Sequence, residues 1–251
     1  MKVAFITPPE LLDLSLEGDI ILTLAQFIGD NEYTRKLKKS GKTIYLDNGA
    51  HEGAYEGIDW YIEKIKILEP DLVFAPDVIY DGPATYKETT RFIEKLYEVY
   101  DGKNWKFEIA GIPQADNING YRLFFDKLHK NEDIDWLGIS YLAAAKCYPK
   151  EKISIARRNV LTKIFCSTDY TKNIHLLGFG DSFEDVKFAK SIDNVKSVDT
   201  SSPFMYGYLG FTYENNPLTA KVQTTDPSIT EIDQDQRDKI IKNFNYFKNQ
   251  L

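Results

Sequence analysis

An eight-stranded parallel β/α barrel is the fold class this sequence predicts, on three observations. Eight short apolar runs rich in β-branched residues recur along the chain, segments of helical spacing separate most of them, and the length is 251 residues. Barrels of this kind need about 250 residues. A right-handed βα repeat of this number closes on itself and removes both sheet edges. The main rival is an open flavodoxin-like sheet, which has fewer strands and would not gather the same groups at one mouth.

The predicted strands are Val3 to Thr7, Ile20 to Ala25, Thr43 to Asp47, Asp71 to Ala75, Lys106 to Ile112, Trp136 to Ser140, Ile174 to Gly178 and Val195 to Asp199. Helical spacing follows in Ile58, Tyr61, Ile62, Ile65 and Leu68, in Ile93, Leu96, Tyr97 and Tyr100, and in Phe183, Val186, Ala189 and Ile192. Pro83 after Asp81-Gly82 reads as a first-turn proline, and Ser182 with Asp185 has the pattern of a capping box. The first βα unit is the irregular one, because about a dozen residues join its strands and Pro8-Pro9 opposes helix at the start. Beyond Pro203, an aromatic stretch through Tyr206, Tyr208, Phe211 and Tyr213 leads to a terminal helix over about 228–249, whose Ile240, Phe244 and Phe247 face the barrel wall. No linker or repeat interrupts residues 1–251, so one domain is expected.

Composition narrows the class. Hydrophobic residues at 43% and charged residues at 27% suit a globular chain able to bury a core. Cys147 and Cys166 are too few for a disulfide framework and read as buried fillers in a reducing compartment. The opening apolar run, Val3 to Ile6, is too short for a signal peptide, and no stretch approaches a membrane span, so a cytoplasmic location is expected. The net charge of -7 excludes a coat of positive potential but not a local basic groove. The two basic clusters, Arg35 with Lys36, Lys38 and Lys39, and Arg157 with Arg158 and Lys163, read as solvated helix faces. The three histidines, His51, His129 and His175, share no metal-ligand spacing, and His175 reads as a strand residue with a satisfied ring.

Asp47 and Asp199 carry the chemistry. Each ends an apolar strand, and side chains at the C-terminal ends of parallel barrel strands point into the active-site mouth. The same logic brings Asp77, Gln114, Ser140 and Gly178 to that mouth. Two carboxylates are what glycosyl transfer uses: one attacks the anomeric carbon and the other moves protons. Taken singly, an Asp before Asn-Gly or Thr-Ser is as often a turn residue or cap.

Five segments in order resemble the tRNA-guanine transglycosylases. Asp47-Asn48-Gly49-Ala50 is similar to their Asp-Ser-Gly-Gly, Ala75-Pro76-Asp77 to their Phe-Asp-Glu-Cys strand end, and Gly111-Ile112-Pro113-Gln114 to their Gly-Ile-Val-Gln. His175-Leu176-Leu177-Gly178-Phe179-Gly180 resembles Tyr-Leu-Met-Gly-Val-Gly, and Ser197 to Pro203 resembles the nucleophile segment Phe-Asp-Cys-Val-Met-Pro. The resemblance implies Asp199 as nucleophile at C1′ of a nucleotide, forming a covalent glycosyl-enzyme, with Asp47 as proton shuttle. It implies guanine recognition by Asp77 and by Gln114 at O6, an opening lined by Asn48 and Gly49, and a base flanked by Leu177 and Tyr141. Backbone N–H groups around Ser140 to Leu142 would approach O6. The loop Gly178-Phe179-Gly180-Asp181-Ser182 lies where barrels often bind phosphate, with Asp181 opposing an anion.

The tRNA branch of that family carries zinc on Cys-x-Cys-x-x-Cys and a later His, whereas no Cys or His follows Asp199 here. Neither zinc nor its subdomain is therefore expected, and Ala50 and the Ser140-Tyr141 pair stand where the family has glycines. The shorter phage and bacterial relatives that insert 7-deazaguanine bases into DNA are the closer resemblance. The expected partners are DNA, with tRNA as the alternative, and a free base such as preQ0 or preQ1. An N-glycoside hydrolase and a non-catalytic nucleic-acid-binding relative remain open readings.

Overall fold

The computed structural model describes residues 1–165, 170–179, 182–215 and 229–251. Eight parallel strands close into a barrel in sequence order: β1 Lys2–Phe5, β2 Ile20–Leu24, β3 Thr43–Asp47, β4 Leu72–Phe74, β5 Glu108–Gly111, β6 Trp136–Ser140, β7 Asn173–Leu177 and β8 Val195–Thr200. The ring is completed by β1 on β8, where Ala4 pairs with Asp199 and Phe5 with Thr200. The predicted runs are the observed strands, shifted or trimmed by a residue or two at several ends where pairing stops.

Period-two alternation sorts every strand. Ile21, Ile44, Leu46, Val73, Ile109, Leu137, Ile174 and Val198 face outward into the helix layer. Ala4, Ile20, Leu22, Tyr45, Leu72, Phe74, Ala110, Ile112 and Trp136 pack together inside the barrel. Because side chains two apart share a face, Tyr45 sends Asp47 inward and Ser197 sends Asp199 inward. Pocket residues and core residues are thus alternate layers of one interior.

Strands β2, β4 and β6 are each introduced by an aspartate that fixes the strand before. Asp19, Asp71 and Asp135 accept from the backbone N–H of Val3 at 2.9 Å, Ile44 at 2.7 Å and Ile109 at 2.9 Å. Each returns its own N–H to the carbonyl of that same residue, at 2.8 to 2.9 Å. These pairs satisfy backbone groups at the barrel floor that the ladder leaves open.

The helices are α1 Leu12–Ser15, α2 Glu32–Lys39, α3 Ile58–Leu68, α4 Gly82–Val99, α5 Ile118–Lys130, α6 Tyr141–Cys147, α7 Ile153–Phe165, α8 Phe183–Lys190, α9 Ser202–Tyr208 and α10 Gln234–Gln250. The first crossover is irregular as expected: a 3-10 turn over Pro9–Leu11 and the single turn of α1. Asp81 caps α4 by accepting from Ala84 N–H at 2.9 Å, with Pro83 in the first turn. On α3, the Tyr61 hydroxyl lies 2.9 Å from Leu46 O and 3.0 Å from Phe74 O, bracing the top of β3 against β4.

Four expectations need correction. The terminal helix begins at Gln234, because Asp233 forms the capping box with Gln236; Ser228 lies outside the described residues. Its Phe244 does stack on Phe5 of β1 at 4.0 Å, and Gly207 of α9 permits the close crossing, since a Cβ there would sit 2.4 Å from Ile240 N. Ser182 caps α8 through Glu184 N–H, but Asp185 completes no box: it turns inward to Arg157. Arg157 is consequently not on a solvated face. It is fully buried, with Nε 2.8 Å from Asp185 Oδ2. The α2 cluster fits its reading, with Arg35 and Lys36 paired to Asp30 and Glu32 at 2.8 Å. Cys147 is half-buried against the outer core rather than enclosed, and burial pushes its thiol up to about 12. Cys166 lies outside the described residues. No helix among the described residues is long and apolar enough to cross a membrane.

Candidate active site

A cavity opens at the C-terminal ends of the strands, and its lining unites residues from across the chain. Asp47, Asp77, Gln114, Ser140, Gly178 and Asp199 all reach it, as do Asn48, Tyr141, Leu142 and Leu177. Gly49 alone of the candidate residues does not line it. Its role lies behind Asp47: at φ 77° its N–H donates to Asp47 Oδ1 at 2.9 Å. A side chain at Gly49 would put Cβ 2.6 Å from Gln26 Oε1.

The two catalytic candidates have different surroundings. Burial is the main force on Asp47 and raises its pKa to about 8, helped by the negative charges of Glu52, Asp77 and Asp199 and opposed by the Gly49 N–H. At about 8 this carboxyl is mostly protonated at neutral pH. Asp199 is almost completely buried, yet one of its oxygens is doubly tied. Oδ1 accepts from Gly178 N–H at 2.9 Å and lies 3.0 Å from His175 Nε2. No donor among the described residues reaches Oδ2. One oxygen of the carboxylate is thus occupied and the other is free of hydrogen bonds to the described residues.

Asp77 and Gln114 form a single polar unit. Gln114 Nε2 donates to Asp77 Oδ2 at 2.7 Å, while its Oε1 accepts from Tyr80 N–H at 3.1 Å, so the backbone decides which way the amide points. Asn48 adds a bond from Nδ2 to Asp77 Oδ1 at 3.2 Å and a second to Ala75 O at 3.1 Å. Burial raises the Asp77 pKa, and the Gln114 and Asn48 amides pull it back. Asp77 lines the cavity and has acceptor capacity beyond these two bonds, and one Gln114 amide hydrogen is already committed to Asp77. Of the backbone N–H groups expected around Ser140 to Leu142, that of Leu142 is engaged: Ser140 Oγ caps α6 and takes the N–H groups of Leu142 and Ala143, at 3.2 and 3.4 Å. The phosphate-loop expectation changes likewise, because Gly178 N–H serves Asp199; Gly180 and Asp181 lie outside the described residues.

Gly178 is required twice over. Its φ is 74°, and a Cβ would stand 2.3 Å from Tyr141 Cδ1, so only glycine lets the Tyr141 ring close over the end of β7. Arg157 fastens the same turn from below through Gly178 O at 2.5 Å. Gly138 in β6 clears space for Leu177, whose Cδ1 would lie 2.9 Å from an added Cβ.

No family model matches this chain, and no curated protein matches it. The five motif resemblances therefore stand on their residues alone.

Sequence reasoning missed Glu52, which lines the cavity and loads Asp47, whereas His175 is the strand residue with a satisfied ring that was expected, its partners being Ser197 and Asp199. Glu52 lies in the loop after β3 with no periodicity to mark it. The signal for His175 was present: it shares the inward face with Leu177 and is the cross-strand partner of Ser197. No cluster of three or more His, Cys, Asp or Glu able to hold a metal is found among the described residues.

Proposed function

We propose that this protein is a base-exchange transglycosylase that replaces guanine in a polynucleotide, DNA being the favoured one, with a 7-deazaguanine base through a covalent aspartyl-glycosyl intermediate. The observation that carries the reading is the unequal pair in one cavity: Asp47 held protonated, and Asp199 solvated on Oδ1 but open on Oδ2. Retaining glycosyl transfer needs that inequality, one carboxyl as acid and one as nucleophile. Asp199 forms the bond to C1′ as the bond from C1′ to the guanine nitrogen breaks; the electron pair leaves on the base and Asp47 supplies the proton. In the second half the incoming base gives its proton to Asp47, bonds C1′ and releases the Asp199 carboxylate. Asp77 accepts from N1–H and the exocyclic amine of the ring, with Leu177 and Tyr141 against its faces. The target nucleotide must leave its stack to bring C1′ to Asp199.

The test is incubation with labelled preQ0 or preQ1 and either guanine-containing DNA or tRNA, read by mass spectrometry, with denaturing gels for the trapped adduct. Label in DNA, and an adduct abolished by Asp199→Asn, is the expected result. Label in tRNA alone would change the substrate, and free guanine released without incorporation would make the protein a hydrolase. Oligonucleotide binding with no adduct and no effect of Asp199→Asn would overturn catalysis.

A further inference from the structure

We infer that His175 is a positioning residue that, through Nε2–H, holds Oδ1 of Asp199 and thereby assigns the reacting oxygen to Oδ2. This rests on the exchange reaction proposed above. His175 is fully buried in the barrel interior, with the rings of Tyr45 and Phe74 at 5.6 and 5.2 Å fixing its plane. Its two nitrogens each have one partner: Nδ1 lies 2.7 Å from Ser197 Oγ and Nε2 lies 3.0 Å from Asp199 Oδ1. A carboxylate only accepts, so the hydrogen between His175 and Asp199 belongs to Nε2. The Ser197 hydroxyl can then donate to Nδ1, so that both ring nitrogens have a partner.

The spacing is built into the sheet. His175 and Ser197 are register partners on β7 and β8, and Asp199 follows Ser197 on the same inward face one layer higher. Gly178 N–H, at the end of β7, supplies the second donor to the same oxygen. Oδ1 is thereby filled from one strand, while Oδ2 faces the cavity.

The consequence differs between the two half-reactions. When Oδ2 bonds C1′, Oδ1 becomes the ester carbonyl oxygen and keeps its two donors. When the incoming base displaces the enzyme, the electron pair of the Oδ2–C1′ bond returns to the carboxylate, and His175 and Gly178 meet the charge regained on Oδ1. A donor that binds the carboxylate more strongly than the ester assists departure more than attack. Removing His175 therefore slows breakdown of the adduct and lets it accumulate, which a loss of fold or of substrate binding would not do.

Two measurements test this. In the first, single-turnover kinetics compare wild type, His175→Phe and His175→Gln. Phe fills the aromatic cage without a donor, and Gln returns an N–H. Adduct breakdown is expected to fall about 10- to 100-fold in the Phe variant, the range for one charge-assisted hydrogen bond, with partial rescue by Gln. Breakdown at the wild-type rate in His175→Phe would overturn the inference. The second needs no His175 variant: nitrogen-15 NMR of the imidazoles in wild type and Asp199→Asn, assigned by His51→Asn and His129→Asn. A hydrogen on Nε2 of His175 whose resonance moves in Asp199→Asn supports the pairing; a bare Nε2, or one indifferent to Asp199→Asn, refutes it. If wild type forms no adduct with any polynucleotide, the exchange reading fails, and the NMR result alone decides the His175 contact.

Discussion

Asp47→Asn separates the cost of the acid from its use. In the unfolded chain this carboxyl titrates near 3.8, whereas in the folded protein burial and its acidic neighbours raise it to about 8. Between those values the folded state binds one more proton than the unfolded state. The contribution of this group to stability is therefore fully present below pH 3.8 and is lost as pH rises through about 8. At about 1.4 kcal/mol per pH unit, the loss sums to about 5–6 kcal/mol across the window, with the coupled carboxyls of Glu52 and Asp77 broadening it. Asn keeps an oxygen for the Gly49 N–H and carries no titrating group. Urea unfolding of both proteins should then show the stability of Asp47→Asn minus wild type climbing by about 1 kcal/mol per pH unit from pH 5 to 7.5, and levelling above pH 8. The same variant should lose adduct formation at every pH. A stability difference that stays flat with pH would show that Asp47 is ionised in the folded protein, and the acid role would go with it.

Other consequences are measurable with the same material. Formation of the adduct in wild type should fall about tenfold per pH unit above about 8, as Asp47 loses its proton, while staying level just below; a rapid-quench profile that rises there would contradict the assignment. Gly178→Ala should destabilise by about 1–3 kcal/mol, because the positive φ is strained for alanine and its Cβ meets the Tyr141 ring at 2.3 Å; thermal melts would check this, and an unchanged midpoint would show that Tyr141 gives way freely. Arg157→Met removes one partner of a buried ion pair with Asp185. Its cost should be about 3–5 kcal/mol by denaturant titration, with recovery when Asp185→Leu is added.

Fold and site were unequally legible. The barrel could be read because its strands obey a two-residue period and its helices a longer one, and both periods follow from backbone geometry that no tertiary contact alters. The same period sends Asp47 and Asp199 inward, so the two acids came from the sequence together with Asp77, Gln114, Ser140 and Gly178 of the cavity lining. Helix ends were less secure: Ser182 and Asp185 have capping-box spacing, yet Arg157, distant in sequence, captures Asp185. A local pattern cannot foresee a partner supplied by another helix.

The sequence by itself determined the eight-stranded barrel, the inward acids and the glycines that the turns require, because each depends on local spacing or on the shape of one residue. Only the tertiary structure decided what those groups are made to do. It raised the proton affinity of Asp47 by burying it beside Glu52, turned Gln114 toward Asp77 through the backbone of Tyr80, and placed His175 against Asp199. Proton affinity and hydrogen-bond direction depend on solvent exclusion and on neighbours within a few ångströms, and chain closure alone brings those neighbours together.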